Sequence, residues 1–105
     1  MDLMKGKKGI IMGVANERSI AWGISQKLAS AGAELAFTYL GEALKKRVIP
    51  LAEKLNSKAT FSCDVEKKDE VTKLFEDLKS QWGQIDFVVH AVAFSDKYTQ
   101  NNYKN

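Results

Sequence analysis

Short apolar runs alternate along this chain with segments whose apolar residues recur at helical spacing, and this alternation restricts the fold more than any other feature. Lys8 to Met12 is an apolar run stopping at Gly13, after which Ile20, Ile24 and Leu28 recur every four residues, a spacing that puts side chains on one helix face. Gly32 ends that helix, and Glu34 to Tyr39 reads as a second strand, mostly apolar as strands covered on both faces are. Leu44, Val48, Leu51, Ala52 and Leu55 mark a second helix, with a kink or break expected at Pro50 because proline lacks the backbone donor and disfavours the helical conformation at Ile49. Ala59 to Cys63 is a third strand, Val71, Leu74, Phe75, Leu78 and Trp82 a third helix, and Ile85 to Val89 a fourth strand.

The order β-α-β-α-β-α-β with short connections requires crossovers, and crossovers build a parallel sheet with helices on its faces. The expected fold class is therefore α/β: the first half of a Rossmann-like, doubly wound parallel sheet with strand order 3-2-1-4. No repeat at solenoid spacing is present. Residues 1–94 form one truncated Rossmann-like domain on this reading. Residues 95–105 are polar and without period, which reads as a disordered tail.

Composition narrows the function classes. With 105 residues, 45% hydrophobic and 28% charged, the chain has room for one domain at most. The formal charge of +3 comes with basic clusters at Lys7-Lys8, Lys45-Lys46-Arg47 and Lys67-Lys68 that neighbour acidic residues, so they read as solvated helix faces and not as a nucleic-acid footprint. Cys63 is the only cysteine, which excludes an internal disulfide and a cysteine-rich metal site and fits a reducing compartment; no metal is implied. No apolar run reaches the roughly 18 to 20 residues of a membrane helix, and Met1 to Gly6 lacks a signal peptide's apolar core. A cytoplasmic location is the expectation.

In open α/β sheets the ligand crevice lies beyond the carboxyl ends of the strands, and the first strand-to-helix turn commonly holds a phosphate on a helix N-terminus. Gly13 lets backbone approach a ligand, Ser19 can cap the helix or donate its hydroxyl to a phosphate, and Gly23 is expected to allow close helix-to-strand packing. This is not G-x-G-x-x-G, since only Gly13 and Gly23 remain, ten residues apart. Spacing alone leaves nucleotide binding and a capped helix that binds nothing both open.

Longer stretches add to this. "MGVANERSIAWGIS", then "GAELAFTYLGEALKKRV", "CDV" after the third strand and "HAVAFSDK" after the fourth resemble the bacterial enoyl-acyl-carrier-protein reductase family, a divergent branch of the short-chain dehydrogenases/reductases with the loop G-x5-S-I-A-x-G. The resemblance runs from Lys5 to Lys97. It implies that backbone around Gly13, Val14 and Ala15, with Ser19 and Ile20, lies along the pyrophosphate of NAD and the adjoining sugar. It implies further that Asp64 hydrogen-bonds the adenine amino group, that Val65 packs on that ring, and that Ala91, Val92 and Ala93 line the cofactor ribose near the substrate entrance. Leu40 falls at the ribose, where many relatives carry glutamine.

Other residues take plainer readings. Asp64 can instead cap the third helix, His90 reads as a hydrogen-bonded core residue at a strand end, Trp22 and Trp82 as packing residues, and Cys63 as a buried small side chain and not a nucleophile. The second strand ends in Tyr39-Leu40-Gly41-Glu42, with no Arg or Lys before Lys45, and Glu42 would repel a 2′-phosphate; the expected cofactor is NADH over NADPH.

The resemblance implies reduction of an enoyl thioester on acyl carrier protein, with a tyrosine stabilising the enolate and a lysine holding the cofactor ribose in a Tyr-x6-Lys pattern beyond the fourth strand. Tyr98 and Lys104 are six apart instead of seven, so no catalytic residue is assigned, and the chain alone is expected to be an inactive NADH-binding portion of such an enzyme. Relatives are homotetramers, which is the expectation for the complete enzyme. Phe87, Val88 and Val89 are expected to form an exposed apolar edge, making the chain marginally stable or self-pairing. A non-catalytic α/β interaction module is the competing class, but a receiver needs acidic residues at strand ends where Met12-Gly13 has none, and a methyltransferase-like site would have only Glu42.

Overall fold

Residues 2–91 are described by the computed structural model, and among them strands and helices alternate in the expected order. They are β1 (Lys8–Met12), α1 (Ile20–Ser30), β2 (Glu34–Tyr39), α2 (Glu42–Lys54), β3 (Ala59–Ser62), α3 (Lys68–Trp82) and β4 (Phe87–His90). All neighbouring strands are parallel and stand in the order β3-β2-β1-β4, as the alternation predicts. Residues 95–105, read above as a tail, lie outside the described residues.

The continuous apolar runs of β1 and β2 follow from helices covering both faces. On one face Ile11, Leu35 and Phe37 meet Ala21 and Trp22 of α1 and Val48, Leu51 and Ala52 of α2. On the other, Ile10, Met12 and Ala36 meet Leu74 and Leu78 of α3. No buried side-chain nitrogen or oxygen among the described residues lacks a partner. Ser25, for example, satisfies its hydroxyl on the Ala21 carbonyl at 2.7 Å.

Several expectations need correction. The Ile20–Ile24–Leu28 stripe does not form the buried side of α1: Ile20 is 77% exposed and Ile24 is exposed, whereas Ala21, Trp22 and Ser25 are buried. Residues four apart advance by about 40° around a helix, so the stripe drifts and only Leu28 reaches the packed arc. Small Ala21 and Ser25 let the helix axis approach the sheet in its place. Gly23 has no packing role, since a Cβ there would meet nothing within 4 Å.

Pro50 neither breaks nor splits α2, which runs unbroken from Glu42 to Lys54. The proline lies on the solvent side, where water can serve the carbonyl that loses its donor, while Val48, Leu51 and Ala52 hold the helix to the sheet. His90 is exposed and not a core residue, because β4 alternates half-buried Phe87 and Val89 with exposed Val88 and His90. Only Val88 of the anticipated apolar edge is exposed, at 40%; Phe87 and Val89 pack toward α1. Gly9 makes room for that packing, since a Cβ on it would collide with the Phe87 ring.

Candidate functional site

The carboxyl ends of the strands open on a cleft of about 730 Å³, within the roughly 300–1,000 Å³ of small-molecule sites. Gly13, Val14, Ala15, Ser19 and Ile20 line it from the β1–α1 loop, Leu40 from the end of β2, Asp64 and Val65 from the segment after β3, and Ala91 from the end of β4. Val92 and Ala93 lie outside the described residues. An open trough of about 620 Å³ lies on the outer flank of α1, lined by Gly23, Gln26, Lys27, Ser30 and Ala31 and by none of the residues singled out as cofactor contacts.

The β1–α1 loop is shaped by its own polar groups. Gly13 sits at φ 115°, a left-handed conformation that glycine adopts without the penalty of a Cβ. Ser19 holds the N-cap position of α1, yet makes no side-chain cap. Its hydroxyl instead donates to the Asn16 carbonyl at 2.8 Å and lies 3.4 Å from the Ala15 amide that donates to it. The Arg18 amide donates to the Asn16 side chain at 2.8 Å, closing an Asx turn.

With no side-chain cap, the first amides of α1 remain available to an external acceptor. The first turn of α1 contains no acidic residue, whereas α2 begins with Glu42 and α3 has Asp69 and Glu70. Arg18 lines the cleft beside this terminus. Helix dipole and guanidinium thus favour an anion at this end.

The opposite wall is acidic and hydrogen-bonded to itself. The Cys63 amide donates to the Tyr39 carbonyl at 2.9 Å, the Asp64 amide to Glu70 Oε1 at 2.9 Å, the Glu66 amide to Asp64 Oδ1 at 3.0 Å, and the Lys67 amide to the Asp64 carbonyl at 2.9 Å. Lys67, and not Asp64, is the N-cap of α3. The Asp64 carboxylate therefore keeps acceptor capacity toward the cleft. Cys63 is buried in the cleft wall, and burial first, then the Glu70 and Asp64 carboxylates, push its thiol above the ordinary range.

The cleft also contains residues to which the sequence assigned no cofactor contact: Arg18, Thr38, Tyr39, Leu44, Cys63 and Glu66. Thr38 and Tyr39 were open to inference from the rule that ligands sit beyond strand carboxyl ends. Arg18 had no such signal, since it falls where the G-x5-S pattern leaves the residue free. Ile20 and Leu40, 77% and 52% exposed, place apolar surface at the cleft that a ligand would cover.

The sequence profile of the enoyl-(acyl carrier protein) reductase family matches residues 13–105. The NADH enoyl-acyl-carrier-protein reductase 2 of Rhizobium meliloti is 60% identical over 95 residues, covering 90% of this chain and 35% of that protein. The crystal structure of FabI from Candidatus Liberibacter asiaticus superposes with a TM-score of 0.87 at 52% identity, covering 93% of this chain and 38% of that one. An Anaplasma phagocytophilum enoyl-acyl-carrier-protein reductase, crystallised in complex with NAD, superposes with a TM-score of 0.83 at 56% identity, covering 91% and 37%. The chain spans about a third of the length of the curated relatives it matches.

Proposed function

The chain belongs to the enoyl-(acyl carrier protein) reductase family, and on that premise we propose that its cleft binds NADH as the cofactor-holding part of such a reductase. One observation carries the reading: segments far apart in sequence, the 13–20 loop, Leu40, Asp64-Val65 and Ala91, converge on one cleft whose loop end attracts anions and whose β3 end presents a carboxylate. A dinucleotide has that polarity, a diphosphate between two sugars with an adenine amino group at one end.

In this reading Gly13, Val14 and Ala15 admit the diphosphate against bare backbone, and the uncapped α1 terminus with Arg18 receives its charge. Ser19 holds the loop open by bonding back to Asn16. Asp64 accepts from the adenine amino group, Val65 and Ile20 supply apolar contact, Leu40 lies at the ribose, and Ala91 with Val92 and Ala93 borders the ribose nearer the substrate. When bound, the nicotinamide supplies hydride to the enoyl double bond. The chain's own residues orient the cofactor and exclude water, while enolate stabilisation belongs to the tyrosine and lysine that the resemblance sets beyond the fourth strand. The acyl-carrier-protein substrate, a homotetrameric assembly and a cytoplasmic location are proposed for the whole reductase, and no activity for this chain alone.

Titrating the chain with NADH and NADPH by fluorescence tests the reading. NADH is expected to bind more tightly, because Glu42 stands at the start of α2 where a 2′-phosphate would come. No binding of either, or tighter NADPH, overturns it.

A further inference from the structure

Glu70 is absent from every motif above, yet its side chain is the one that reaches back from α3 into the wall of the cleft. It occupies the third position of that helix and accepts the Asp64 backbone amide on Oε1 at 2.9 Å, while Oε2 lies 3.8 Å from the Lys67 ammonium. Asp64 in turn accepts the Glu66 amide. The backbone that carries Asp64 and its free carboxylate oxygen is thus held in part by an acceptor six residues downstream, beside the local bonds from the Glu66 and Lys67 amides.

We propose that Glu70 is a positioning residue for the adenine end of the cleft: it touches no ligand, and by holding the Asp64 amide it aims Asp64 and Val65 at the base. This rests on the nucleotide reading above. A merely structural role is the alternative, because a carboxylate in a first helical turn also complements the helix dipole. Charge and reach separate the two. Glu70→Asp keeps the charge and the favourable helix position but is one methylene shorter, so it loses the Asp64 amide. Glu70→Gln keeps an acceptor oxygen at full reach and loses the charge.

The experiment is a titration of the chain and both variants with AMP, NADH and nicotinamide mononucleotide, with the Asp64 amide proton followed by NMR. Glu70→Asp is expected to bind AMP and NADH about fivefold more weakly, the loss that one half-exposed hydrogen bond carries, with nicotinamide mononucleotide unchanged and the Asp64 amide proton moved upfield. Glu70→Gln is expected to stay within about twofold of the parent. Parental AMP affinity in Glu70→Asp, or a loss in Glu70→Gln equal to or greater than that in Glu70→Asp, overturns the positioning role while leaving the nucleotide reading intact. A parent chain that binds neither AMP nor NADH overturns both.

Discussion

The two ends of the sheet use their polar groups in opposite ways. At the amino ends of β1 and β4 the Lys8 amide donates to Asp86 Oδ2 at 2.8 Å and the Asp86 amide to the Lys8 carbonyl at 2.7 Å. Gln84 ties the Gly6 carbonyl and Asp86 together, and the Lys8 ammonium lies 3.4 Å from Glu34 and 5.6 Å from the centre of the Trp82 ring. At the carboxyl ends the α1 terminus is uncapped by any side chain, apolar Ile20 and Leu40 are exposed, and the strands open on a hollow. One end is closed on itself and aligns the strands; at the other the β3 wall is tied within the chain, while the α1 terminus, Ile20 and Leu40 are left to something outside it. A sheet can hold a binding site because alignment and binding are assigned to opposite ends of the same strands.

Both ends hang from one middle, so the largest effect is expected there. Phe37→Ala, at a residue with no exposure, should lower the folding free energy by about 3–5 kcal/mol, seen as an earlier urea midpoint. Amide protection lost at one end only would break the idea of a shared core.

Gly9→Ala comes next, because its new Cβ collides with the Phe87 ring and pushes β4 from β1. A loss of about 1–3 kcal/mol is expected, with amide exchange quickened at Lys8 and Asp86 before it quickens in the 13–19 loop. Equal quickening at both would erase the contrast.

At the open end, Ser19→Ala removes the hydroxyl that bridges Ala15 and Asn16. NADH affinity should fall about fivefold while the urea midpoint hardly moves; an affinity unchanged by the substitution would mean that the loop keeps its shape without the bridge. Gly23→Ala, on the open flank of α1, should stabilise the chain by about 0.5–1 kcal/mol, measured in the same urea series, and a destabilisation would restore the packing role expected from sequence.

The smallest effect belongs to Asp86, which is exposed. The Lys8 amide first, then Gln84, hold its carboxyl below the ordinary 3.8. A folded value below the unfolded one means that its contribution is complete above about pH 3.8 and is lost as pH falls through the lower folded value. Asp86→Ala should therefore be less stable than the parent at neutral pH, and the difference should shrink in acid below that point. A difference independent of pH would show that the closed end does not depend on this carboxylate.

Much of the site was legible because its signal is local. Gly13 and Ser19 follow the end of β1, and the rule for open sheets puts strand ends at the crevice; Asp64, Val65 and Ala91 were named by the family resemblance, and they line the same cleft. Arg18 and Glu70 were not legible: one occupies a free position of the loop, and the other acts through a backbone amide six residues away, a contact that no period or spacing announces.

The sequence by itself determined the type and order of the elements, down to the bounds of β1 and β2, because apolar periodicity is a property of neighbouring residues along the chain. Only the tertiary structure decided that Ala21, Trp22 and Ser25 face the sheet while Ile20 faces the cleft, that α2 continues through Pro50, and that His90 is exposed. Each of those depends on what lies opposite: how closely a helix can approach a sheet, whether a lost donor faces water, and whether a strand has a covered neighbour.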